Sequence, residues 1–153
     1  MTSPSETPDG ATGPDPAPRL LCDVQAMTGV DPASAGAMWK LAEPGRQLDA
    51  NLVHLPPGEN VADHREPDLD VLLLVVAGHG TLGTAEGTRA LSAGALLWLP
   101  HGSTRRIDAG ANGLSYLTVH RRRPGMQIGR RAPETPPPSP DAGRTPPASG
   151  QTT

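Results

Sequence analysis

Between residues 37 and 123 the chain alternates short apolar runs with turn-forming stretches. The runs read MWKL, RQLDANLVHL, NVADHRE, DVLLLVVAG, GTLGT, GTRALSAG, ALLWLP, STRRIDA and LSYLTVHRR. Between them lie EPG, PPG, AGHG, AEG, SAG, PHG and GANG, whose glycines, prolines and small polar residues favour reversals. Short strands punctuated this often predict an all-β sandwich or barrel, not alternating strands and helices. No stretch after residue 45 sustains the 3.6-residue period of an amphipathic helix.

Two runs say how the strands are buried. RQLDANLVHL alternates, with Leu48, Ala50, Leu52 and His54 on one face. DVLLLVVAG is apolar on both faces. One face can fill a barrel, and the other needs cover from the N-terminal arm or from a second subunit, so a homodimer is expected. Ahead of these runs, RLLCDVQAMTG reads as a short strand or a packed arm. Asp31-Pro32 offers a helix start, which Gly36 and Trp39 weaken.

Composition limits how much of the chain can join a core. Residues 1–18 and 130–153 are dominated by Pro, Ser, Thr, Gly and Ala, with too little apolar surface to offset the entropy of ordering them. Both read as disordered tails, which leaves one domain over residues 19–129. The formal charge is −3, and two Trp, one Tyr and no Phe give no aromatic ladder for bases, so no nucleic-acid partner is expected. The basic run Arg121, Arg122 and Arg123 reads as a solvated strand end. A lone cysteine, Cys22, excludes an internal disulfide and has no basic neighbour to activate it. Neither a secretory leader nor an apolar run of about 18 residues is present, so no membrane partner and a cytoplasmic setting are expected.

Two patches carry a more specific pattern. The first is Gly58-x5-His64-x-Glu66 with Gly78 behind it, and the second is Gly94-x5-Pro100-x-Gly102. In that order and at that separation they resemble the two motifs of the cupin superfamily, over residues 37–125. The resemblance implies a cupin-type antiparallel β-barrel (a double-stranded β-helix, or jelly roll) with disordered termini. In that family three His and one Glu from these motifs hold a divalent metal, often Fe, Mn, Zn, Ni or Cu. Carried over by position, His64 keeps the first ligand place and Glu66 replaces the second His. Val71 falls where the Glu is expected, Arg105 where the last His is expected, and Ala109 at the terminal Asn.

This altered ligand set points two ways. His64 and Glu66, two apart on a strand, share one side and make an incomplete metal site, which Asp70, His54 or His120 would have to complete. Arg105 argues against a metal, because a guanidinium stays protonated and has no lone pair to donate. An Arg105–Glu66 ion pair is the simplest replacement for the metal as the pocket's polar centre. Alternatively, Arg105 meets an anionic ligand with His64 as second donor, or Arg106 takes its place after a one-residue slip. Trp98 reads as a core residue that in so small a barrel can also stack on a ligand. His79 and His101 read as surface residues in a turn and a loop.

No nucleophile elbow, P-loop or dinucleotide fingerprint is present. The expectation is therefore a degenerate cupin that binds or senses a small molecule, for example an anionic metabolite, through His64, Glu66, Arg105 and Trp98, without catalysis and without a resident cofactor. The alternative is a metal-dependent cupin enzyme, a dioxygenase or isomerase for example, with His64 and Glu66 as metal ligands and a non-standard third donor.

Overall fold

The structure, a computed structural model, describes residues 16–29 and 35–123. Both expected tails fall outside these residues, apart from 16–18, which carry no regular structure; so does the Asp31-Pro32 helix start. Seven strands form one antiparallel sheet that folds over on itself: β1 (Gly36–Lys40), β2 (Leu48–Leu55), β3 (Asn60–Arg65), β4 (Val71–Thr84), β5 (Gly87–Ser92), β6 (Leu96–Leu99) and β7 (Thr104–Arg121). The arm ahead of β1 forms no strand; it packs on β4, as the alternative reading expected. It makes a single short helix, α1 (Val24–Thr28), because the Asp23 carboxylate accepts the Ala26 N–H at 3.0 Å and caps the first turn. Among the described residues no helix is long and apolar enough to cross a membrane.

β7 is the hub of the sheet. Its first part pairs with β3 and the far part of β4; its second part pairs with β2 and the near part of β4. β4 carries β6 along its near part and β5 along its far part. The AGHG and GANG stretches, expected as turns, instead lie inside β4 and β7, so four of the expected strands are two long ones. They are where these strands bend. Gly78 pairs with Leu114 and Gly80 with Ala109, so residues 110–113 bulge opposite His79 alone. The bend lets the chains approach closely: a Cβ on Gly78 would sit 2.1 Å from the Gly113 carbonyl oxygen. His79 is thus a strand residue, though an exposed one.

Both sides of the bend feed one core. Val71, Leu73, Val75, Leu99, Leu114 and Tyr116 come from one side, and Leu82, Leu91 and Ile107 from the other. On β2 the inward residues are Val53 and Leu55. The alternation expected for Leu48, Ala50, Leu52 and His54 holds, but that face points away from the barrel. There Leu52 is fully buried while Leu48 and, across β7 on β4, Leu72 are half exposed.

Tyr116 is the one tyrosine of the chain, and burial pushes its hydroxyl up to about 12. A folded pKa raised above the ordinary value near 10 means that neutral Tyr116 stabilises the fold fully below about pH 10. That stability is lost as pH rises toward 12. Tyrosinate absorbance should therefore titrate near pH 12 in the folded protein, with the melting temperature falling across the same window. A midpoint near 10 while the protein is still folded would place Tyr116 in water.

Candidate functional site

The candidate site lies where β3, the far end of β4 and the start of β7 meet. Arg105, at the second position of β7, pairs with His64 on β3 and with Thr84 on β4. It shares a face with Ile107, two residues on, and that face is the core side. The sequence register therefore forces a guanidinium inward. Arg105 is 6% exposed, and its Nη1 has no hydrogen-bond partner among the described residues. Burial pulls the guanidinium below its ordinary pKa, and the Glu66 carboxylate at longer range partly offsets this. A cationic donor is thus held at the barrel wall without a mate.

Arg105 opens onto a cleft of about 590 Å³, within the range of about 300–1,000 Å³ usual for small-molecule sites. The cleft runs between the β4–β5 hairpin and β6, where β5 and β6 part to opposite sides of the bend. Thr84, Ser103 and Arg105 line one wall, and Leu97, Trp98 and Leu99 line another. Arg106 faces the other way: its Nε and Nη2 donate to the Asp108 carboxylate at 2.8–2.9 Å. The expected register holds, and no slip brings Arg106 inward.

The other expected residues are placed as follows. His64 lies on the same sheet face as Arg105, but its ring is exposed, with Nδ1 3.0 Å from the Ala62 carbonyl oxygen. Glu66 is not on a strand: β3 ends at Arg65. The turn holds Glu66 by its backbone, whose carbonyl accepts the Gly102 N–H at 2.6 Å, and Oε1 accepts the Asp68 N–H. Its Oε2 is paired with Arg123 at the far end of the described chain. The expected Arg105–Glu66 ion pair is therefore replaced by Arg123–Glu66, and Arg105 is left over. Trp98, expected in the core, is 65% exposed, because Leu97 and Leu99 take the inward positions of β6. It still borders the cleft.

The candidate third metal donors are dispersed. Asp70 accepts from both the backbone N–H and Nδ1 of His101 at 2.8 Å, which holds its carboxyl below the usual carboxylate range and turns it outward. His54 lies on the outward face, where its Nδ1 meets the Ser115 hydroxyl at 2.8 Å. His120 pairs with Val71 at the end of the barrel, its Nδ1 against the Arg121 carbonyl. Among the described residues no three His, Cys, Asp or Glu are grouped to hold a metal ion. Val71 is itself core, and an unpartnered cation stands where the last His would be. This donor set does not fit a cupin metal.

The pairs Arg123–Glu66 and His101–Asp70 had no local signal in the sequence. Their members lie 57 and 31 positions apart and meet only through the topology.

No family model and no curated protein matches this sequence. Solved structures do match. A protein from Bacillus halodurans superposes with a TM-score of 0.57 at 19% identity, covering 74% of this chain and 89% of that one. A cupin 2 conserved barrel domain protein from Rhodopseudomonas palustris gives 0.51 at 18% identity, over 54% and 57%. The fold is that of the cupins. A sugar phosphate isomerase of the cupin superfamily from Silicibacter pomeroyi also superposes, at TM-score 0.49 and 24% identity, over 52% of this chain. The cupin barrel here spans 53% of that isomerase's length, and 64% and 59% of two further solved structures.

Proposed function

We propose that this cupin binds a small anionic molecule in the cleft beside Arg105, without catalysis and without a metal. The observation that carries this reading is the buried guanidinium of Arg105, which lines a cavity of ligand size and whose Nη1 has no partner among the described residues. A buried donor left unpaired costs more than a paired one gains, so the site is built to be completed by an acceptor. The outward face of β2, β7 and β4, with Leu48, Leu72 and Val119, supports a second copy as its cover. A monomeric mass by light scattering would remove that part of the reading.

The test is calorimetric titration with a panel of small carboxylates and phosphates, alongside elemental analysis after incubation with Fe(II), Mn(II), Zn(II), Ni(II) and Cu(II). Arg105→Gln is expected to weaken anion binding about 10- to 100-fold, the worth of a charge-assisted hydrogen bond, and to leave metal content unchanged. Near-stoichiometric metal that vanishes in His64→Ala would replace this reading with that of a metal-dependent enzyme.

A further inference from the structure

The hydroxyl groups of the cleft narrow the class of anion. Three hydroxyl side chains line it: Thr84, Ser103 and Thr104. Two are already committed. The Ser103 hydroxyl donates to the Pro100 carbonyl at 2.6 Å. The Thr84 hydroxyl donates to the Gly87 carbonyl at 3.0 Å and accepts the Glu86 N–H at 3.2 Å, closing the β4–β5 turn. As side-chain donors this leaves Arg105 at the buried end and the exposed Thr104, Arg89 and Trp98 toward the rim. A sugar, a sugar phosphate or a polyol acid brings a hydroxyl on nearly every carbon, more than the few polar groups at the buried end can pair.

The apolar lining makes the complementary case. Leu82, Leu97 and Leu99 form the inner wall, and Leu96 and Trp98, each 65% exposed, form its outer lip. A flat or branched hydrocarbon body would cover this surface, with the indole of Trp98 available for stacking. Charge sets the remaining condition. Arg105 supplies one buried positive charge. Arg89 lies exposed at the rim, where Glu86 also lines the cleft and opposes it. One cation balances one negative charge, whereas a phosphate monoester carries about −1.5 to −2 at neutral pH and would bury an excess. A carboxylate is also planar and matches the guanidinium fork.

Resting on the anion-binding reading above, we propose that the ligand is a monocarboxylate with an aromatic or branched apolar body, its carboxylate on Arg105 and its body along Leu97 and Trp98. Phenylacetate, acetate, gluconate and inorganic phosphate serve as probes on the full chain, followed by calorimetry and by the indole N–H signals in NMR, with Trp39→Phe assigning the Trp98 signal. Phenylacetate is expected to bind at least about tenfold more tightly than the other three, from the apolar area it buries. Trp98→Ser, a change at an exposed position, is expected to reduce phenylacetate affinity about fivefold or more and leave acetate unchanged. Arg105→Gln is expected to weaken both about 10- to 100-fold.

The outcomes separate the two levels. If gluconate or phosphate binds as tightly as phenylacetate and still depends on Arg105, the anion reading stands and the monocarboxylate class is wrong. The monocarboxylate class is equally wrong if Trp98→Ser leaves phenylacetate affinity unchanged. If no probe binds, or if Arg105→Gln leaves the affinities unchanged, both readings fall together.

Discussion

Gly78→Ala should lower the melting temperature by more than about 10 °C, from one added methyl group. The reason lies in the bend of β4. Gly78 has φ +74°, where an L side chain costs about 1–2 kcal/mol. Its new Cβ would also lie 2.1 Å from the Gly113 carbonyl oxygen and 3.2 Å from the Leu114 Cα. Both neighbours are backbone, so no rotamer change relieves the contact. β4 and β7 must move apart where they turn the corner, which adds a cost of the size of core overpacking, about 1–3 kcal/mol. Gly83→Ala, on the same strand, is the control: its Cβ would meet the Arg106 Cβ at 3.5 Å and the Arg106 carbonyl oxygen at 3.9 Å, both ordinary contacts. Circular dichroism melts of the two variants decide the matter. Equal melting temperatures would mean that the bend is soft.

Arg105→Leu should do the opposite to stability while destroying binding. The wild-type protein buries a guanidinium whose Nη1 has no partner, a cost of about 1–3 kcal/mol for a neutral donor and more for a charged one. Leucine fits beside Ile107 on the same strand face and removes that cost. The variant should melt about 4 °C or more above the wild type, and it should no longer respond to the carboxylates that raise the wild-type melting temperature. Stability gained at the expense of function marks a binding residue. A variant that melts lower would instead show that Arg105 is paired in solution.

Much of this fold was legible because its motif residues are backbone requirements. Gly58, Gly78, Gly94 and Gly102 all take positive φ, which is why glycine stands at each. The run of β4 was readable from its apolar residues on both faces, and Arg105 fell at the last-ligand position of the resemblance, with Arg106 as the alternative that the register of β7 removes. Other features were not. AGHG and GANG carry the residues of a turn, yet a strand can bend with the same residues when another strand bends beside it. α1 depends on one cap at Asp23 in a segment too short for periodicity to show. Trp98 looked like core because its size favours burial, but β6 has only four residues and alternation gave its inward places to Leu97 and Leu99. Glu66 was lost to Arg105 by an arginine 57 positions away, which no local pattern announces.

One consequence of the topology concerns how the protein is made. β7 is the last strand among the described residues, yet β2, β3 and β4 all depend on it for pairing. A chain growing from its N-terminus can assemble β1 with β2, and later β4 with β5 and β6, but nothing more until Thr104–Arg121 has been synthesised. Contacts this distant in sequence also form slowly, because loop closure must be paid for first. Throughout that interval the two-faced apolar strand β4 has no complete sheet around it. Until β7 is made, both apolar faces of β4 stay open to water and to other chains.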